Sequence, residues 1–214
     1  MEMTSSSVGI VPPDPQFNPD KEDCFSLKFE GFKKIPRWFR EVVISEKIDG
    51  TNAQIMIDED GTVQAASKNR IITPADDNAG FARWVSENLE ELRKLGPGRH
   101  YGEWWGKGIG RNYSQPVKRF SLFNSHRWGE MNRASKLGHD VVGWPKCCDV
   151  VPVLYRGILE SFTVNAVLSN LKRDGSVAAP GFMRPEGLII WHDAAKQYFK
   201  VTCEGDEKPK GSKE

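Results

Sequence analysis

The sequence predicts an α+β fold. Three observations carry that prediction: a strand–turn–strand pattern in the first third, one apolar stripe at helical spacing after it, and short strand-like runs around a second helical stretch toward the end. Val42, Val43 and Ile44 lead into the first strand region, where Ala53, Ile55 and Ile57 alternate with Gln54, Met56 and Asp58 as in a half-buried strand. Asp58-Glu59-Asp60-Gly61 supplies a turn, and residues 62–66 read as the returning strand of a hairpin. From 79 to 95, Phe81, Trp84, Val85, Leu89, Leu92 and Leu95 recur at helical spacing until Gly96-Pro97-Gly98 stops the run, so one helix is expected there. Residues 120–123, 188–191 and 198–202 read as strands, and 158–172 as a helix closed by Asp174-Gly175. Hairpins with helices inserted between them imply antiparallel sheets flanked by helices, not a doubly wound parallel sheet.

Length and composition bound what such a fold could be. A chain of 214 residues fits one domain with tails. Residues 1–21, with Pro12, Pro13, Pro15 and Pro19 among small polar residues, are expected to form a flexible arm; residues 22–204 form the domain, and 205–214 a polar tail. A hydrophobic content of 38% is too high for wholesale disorder, and no run approaches the ~18 apolar residues of a membrane span. No membrane partner is therefore expected. Thirty basic against twenty-nine acidic residues leave a formal charge of +1, so any nucleic-acid contact must come from a local patch. The start lacks the basic and apolar regions of a secretory signal, which predicts a cytoplasmic, reducing location. Cys24, Cys147, Cys148 and Cys203 match no Cys-x-x-Cys zinc spacing and read as free thiols. His100, His126, His139 and His192 fit no metal-ligand spacing.

Chemistry concentrates at Glu46-Lys47-Ile48-Asp49-Gly50-Thr51-Asn52, between two strand-like runs. A lysine amine attacks only when neutral, and partial desolvation beside other cationic charge can provide that. Taken alone, a lysine before an Asp-Gly turn is an ordinary surface residue. The order of the segments downstream sets it apart: Ser67-Lys68-Asn69-Arg70, Tyr101-Gly102-Glu103-Trp104-Trp105-Gly106, the aromatic run at 119–124, Pro185-Glu186-Gly187 before an apolar strand, and Tyr198-Phe199-Lys200-Val201-Thr202. In this order the segments resemble the motifs of the covalent nucleotidyltransferase superfamily, and most closely those of the ATP-dependent RNA ligase family known from phages and bacteria.

The resemblance implies a nucleotidyltransferase domain, unrelated to ATP-grasp folds, with an ATP cleft between its sheets. Lys47 would attack the α-phosphorus of ATP, release pyrophosphate and carry AMP. The AMP would pass to an RNA 5′-phosphate, and an RNA 3′-hydroxyl would displace it. Lys200 would contact the α-phosphate, Arg70 would lie near the ribose or the RNA end, and Glu103 would hold the ribose or help orient a metal. Glu186 would support Mg²⁺, for which Mn²⁺ could substitute. Glu46, Asp49, Gly50 and Asn52 would line the nucleotide, and Phe123, rather than Phe120, would stack on adenine. Phe120 and Phe123 lie three apart in a strand and so face opposite ways, leaving one for the core. Trp104 and Trp105 could stack on bases or pack beneath the sheet.

Lys107, Arg111, Lys118 and Arg119, interleaved with Trp105 and Tyr113, could track RNA phosphates or form a solvated loop. The family's terminal motif often holds two lysines one residue apart; here Thr202 stands at the second place, with Lys208 and Lys210 as possible substitutes. From the short stretch after Lys200, no appended oligonucleotide-binding fold of the kind in DNA ligases and capping enzymes is expected. The competing expectations are a DNA-joining ligase or other polynucleotide nucleotidyltransferase, and a catalytically silent nucleic-acid-binding module.

Overall fold

The structure, a computed structural model, describes residues 28–205. Expectations about the N-terminal arm, Cys24, Lys208 and Lys210 lie outside that range. The chain divides into two units, Met1–Ile35 and Pro36–Glu214. In the first, residues 28–35 have no regular structure, and Phe29, Phe32 and Ile35 are exposed. The second contains both sheets and every described helix.

The second unit is an α+β fold of two sheets. The first sheet joins β1 (Glu41–Lys47) to strands from the end of the chain: β8 (Val153–Ile158), β9 (Gly187–His192) and β10 (Gln197–Thr202). Its order is β10-β9-β1-β8, antiparallel throughout. The second contains β2 (Thr51–Ile57), β3 (Val63–Ser67), β4 (Ile71–Ile72), β5 (Gly98–Gly106), β6 (Lys118–Leu122) and β7 (Cys148–Val150). Its order is β4-β3-β2-β5-β6-β7, with only β6 and β7 running parallel. Only Ile48-Asp49-Gly50 separates β1 from β2, so the chain steps from one sheet to the other in three residues.

Strand alternation decides which side chains enter the core. Val42, Ile44, Leu188 and Ile190 turn to one face of the first sheet, against Leu168 and Leu171 of α4 (Thr163–Asp174). Each such burial is worth about 1.5–3 kcal/mol. Ala53, Ile55, Trp104, Phe120 and Leu122 form the matching face of the second sheet. They pack against α1 (Phe81–Glu87), α2 (Leu89–Leu92) and α3 (Ser125–Lys136), with Phe81 5.1 Å from Phe120 and 5.4 Å from Trp104. A third cluster, Ile48, Trp105, Tyr113, Val151, Ala179 and Phe182, joins the inter-sheet linker to the opposite face of the second sheet. Trp104 and Trp105 are thus both buried, on opposite faces, which removes them as exposed base platforms.

Two expected helices differ. The stripe at 79–95 does not form one helix: Asn88 leaves helical geometry (φ −122°, ψ 20°), and its side chain donates to the Trp84 carbonyl at 2.7 Å. The chain restarts as α2 and closes in a 3₁₀ turn, Arg93–Leu95. An asparagine amide that competes for a backbone carbonyl ends the helix without disturbing the apolar stripe. The helix expected from 158 begins only at Thr163, because Val153–Ile158 is drawn into the edge strand beside β1. Helix α3 and strand β7 had no expectation: α3 buries only Trp128 and Asn132, too sparse a stripe to read.

Candidate active site

The face of the first sheet turned away from α4 is ordered by register. Lys47 pairs with Gly187, which pairs with Thr202. Directly paired residues share a face, so these three form one transverse row. The next row is Ser45, Ile189 and Lys200. Gly187 has no side chain between Lys47 and Thr202, and a Cβ there would lie 2.1 Å from the Val201 carbonyl oxygen. Lys200 therefore shares a face with Lys47; it is exposed and makes no ion pair among the described residues.

Lys47 Nζ lies 2.6 Å from Glu186 Oε2, which is buried and receives no aligned hydrogen bond from any described residue. Glu103 approaches from the second sheet, where Asn52 and Ser121 are its cross-strand partners and Asn52 is exposed. Its carboxyl is 8% exposed and is pushed up to about 7. Burial is the main cause, the Glu186 and Asp49 charges add to it, and Lys47 and the Gly50 N–H oppose it. Three charged groups from β1, β5 and the start of β9 thus share one field.

The Asp-Gly turn after Lys47 works by close packing. A Cβ on Gly50 would sit 2.5 Å from the Trp104 carbonyl oxygen, 2.8 Å from Trp105 Cβ and 3.0 Å from Glu103 Cγ. Gly50→Ala is expected to cost about 1–3 kcal/mol as overpacking, read by chemical denaturation. Asp49 does not point free into the cleft. Its N–H donates to the Tyr113 hydroxyl at 3.0 Å, and its Oδ2 accepts from the Arg111 N–H at 3.0 Å with the Arg111 guanidinium at 3.6 Å. Asp49 thereby pins residues 107–117 against the inter-sheet linker. Tyr113, fully buried at φ +49°, is held there by that bond and by Trp105 and Phe182.

Glu46 has its own set of partners. Strand alternation turns it away from Lys47, and its buried carboxylate accepts from Ser176 Oγ at 2.5 Å and from the Val177 and Ala178 N–H groups, both at 2.9 Å. Burial pushes its carboxyl up while these bonds oppose the shift. Its side chain anchors residues 176–178 to β1. Arg70 is taken up by Asp76 through both guanidinium nitrogens at an exposed turn. Phe123 emerges just past β6 on the side of the third cluster, half-buried, while Phe120 is in the helix-side core. Ile189, half-buried on the Lys47 face, had no expectation; only the register with Ser45 and Lys200 reveals it.

The basic run at 107–119 is not one patch. Lys118 shares the helix-side parity of Phe120, and its Nζ donates to the Ala79 carbonyl at 2.7 Å. Arg119 pairs with Asp149 at 2.6 Å and lies over Trp105, Arg111 is engaged by Asp49 and the Arg184 carbonyl, and only Lys107 has no partner among the described residues. No described helix is long and apolar enough to cross a membrane. Cys147, Cys148 and Cys203 are free thiols, as expected.

A family model described as RNA ligase matches residues 40–204. No curated protein sequence matches the chain. Solved structures of Naegleria gruberi RNA ligase share the fold. One with PPi superposes with a TM-score of 0.53 at 20% identity, covering 76% of this chain and 49% of that one. A glutamate-to-alanine variant with ATP and Mn gives 0.55 at 20% identity, covering 78% and 51%. A lysine-to-methionine variant with AMP and Mn gives 0.54 at 17%, covering 77% and 50%. The chain spans about half the length of these structures.

Proposed function

The chain belongs to the RNA ligase family, and from that membership and the site geometry we propose that it joins RNA 5′-phosphate and 3′-hydroxyl ends through an AMP-lysine at position 47, using ATP and a divalent cation. The observation that carries this reading is the Lys47 amine, 2.6 Å from a buried Glu186 oxygen and within the field of Glu103 from the other sheet. Three ionisable groups converging where two sheets face each other are costly for stability and useful for catalysis.

In the reaction, Nζ forms a bond to the α-phosphorus while the bond to the bridging oxygen breaks and pyrophosphate leaves. The amine must first give up its proton and its pairing with Glu186. Lys200, one row along the same face, would meet phosphate charge. Phe123 and Ile189 offer apolar surface to the base. The donor set fits a hard cation: the buried Glu103 carboxylate and the half-buried Glu186 carboxylate, whose Oε2 is paired with Lys47. Because the described residues contain no group of three candidate ligands, water and phosphate oxygens would complete the coordination. When bound there, Mg²⁺ or Mn²⁺ would supply positive charge to the phosphates and compete for Glu186.

The test is incubation with ATP and Mg²⁺ followed by intact mass measurement. A mass increase equal to one AMP, lost on adding RNA with a 5′-phosphate, supports the proposal; an unchanged mass overturns it.

The Glu103 shift gives a pH prediction. This carboxyl titrates near 4.5 without the fold and at about 7 within it. Its favourable contribution is therefore fully present below about pH 4.5 and is lost as pH rises through about 7, a change of about 3 kcal/mol. Glu103→Gln is expected to flatten the stability curve across that interval. Only the ionised carboxylate takes a cation, so thermal stabilisation by Mn²⁺ should grow as pH passes about 7 in the wild type and lose that dependence in the variant.

A further inference from the structure

The third row of the Lys47 face has a composition that the reaction at Lys47 does not use. Register places Arg156 opposite Val43, Val43 opposite Trp191, and Trp191 opposite Tyr198, so these four side chains cross the sheet on one face. Trp191 and Tyr198 lie 4.7 Å apart between ring centroids, and Tyr198 is 62% exposed. Arg156 at one end and Lys200 in the adjoining row are exposed, and neither makes an ion pair among the described residues. The row lies four residues along β1 from Lys47, roughly 13 Å by strand rise.

We propose that this row is a stacking platform for a base of the RNA strand whose end is presented to Lys47. The inference rests on the ligase reading above. Exposed aromatic rings beside unpaired cations are the combination that holds single-stranded nucleic acid, the rings meeting base faces and the cations meeting phosphates. Continuity selects RNA over other occupants: the same sheet face runs without interruption from the aromatic row through Lys200 to the reacting amine. A strand bound on the row therefore reaches the site, and the cations complement its charge. The row itself, Arg156, Trp191 and Tyr198, positions RNA and touches neither ATP nor the amine, while Lys200 lies between it and the amine.

The alternation of β10 provides the control. Tyr198 and Lys200 face the platform, while Phe199 turns to the other side, beside Trp38 at 6.3 Å. Full-length protein carrying Tyr198→Ala, Tyr198→Phe or Phe199→Ala would be assayed for AMP incorporation from ATP without RNA, and for binding of a fluorescent 5′-phosphorylated single-stranded RNA by anisotropy. Tyr198→Ala is expected to weaken RNA binding about tenfold, with AMP incorporation unchanged. Tyr198→Phe, which keeps the ring, should restore binding, and Phe199→Ala should leave it intact. Unchanged RNA binding in Tyr198→Ala overturns the platform, as does an equal loss in Phe199→Ala. Concentration-dependent self-association that Tyr198→Ala abolishes, with RNA binding unchanged, would make the face an interface between copies and also overturn it. Absence of AMP incorporation in the wild type defeats the ligase reading instead, and the anisotropy comparison still decides the platform.

Discussion

Lys47→Ala is expected to abolish incorporation of label from α-labelled ATP, because no other described side chain places an amine against Glu186. Removing a covalent nucleophile costs orders of magnitude in rate, not a modest fraction. The same substitution leaves a carboxylate 13% exposed without its cation. A buried charge that loses its partner is destabilising, so the variant should also melt earlier. Lys47→Ala combined with Glu186→Gln should recover part of that stability and none of the labelling. Retained label in Lys47→Ala would assign the nucleophile elsewhere; recovered stability without label separates the chemical role of the amine from its ion pair.

Glu46→Ala should give the largest loss of stability. The carboxylate is 1% exposed and accepts from one hydroxyl and two backbone N–H groups, binding residues 176–178 to β1. Truncation strands those donors, at about 1–3 kcal/mol for each one left unsatisfied. A total of about 3 kcal/mol corresponds to a fall of about 6–12 °C in melting temperature for a domain of this size. Glu46→Gln, which still presents an acceptor, should lose less. An Ala variant that melts within about 2 °C of wild type would show that the segment is held by Ala179 and Phe182 packing alone.

The strands were legible where side chains alternate. The hairpin at 53–66 has five paired positions, and the runs at 188–191 and 198–202 fall within β9 and β10. The hairpin and β9 declare themselves because one face is more buried than the other, whereas the exposed edge strand β10 reads from its aromatic and β-branched residues. Edge strand β8 did not, since pairing on one side leaves its burial pattern irregular. The break at Asn88 was hidden because a side-chain bond to a carbonyl leaves the apolar period intact. The motif order led to Lys47, Glu103, Glu186 and Lys200, and the fold brings the first three into one electrostatic field and sets the fourth on the same face as Lys47. The same motif order pointed to Glu46 and Arg70 at the nucleotide; in the fold Glu46 accepts from Ser176 and Arg70 pairs with Asp76.

The sequence alone determined the family, the α+β class and which amine is the candidate nucleophile, because these follow from residue identity and short-range period. Tertiary structure decided which carboxylates share a field with that amine, that the basic run at 107–119 is split between faces and internal partners, and that Arg156, Trp191, Tyr198 and Lys200 adjoin on one face. Those relations depend on contacts between segments separated along the chain, by more than a hundred residues where β1 pairs with β8 and β9, and register between distant strands is set by the packed core, not by any local pattern.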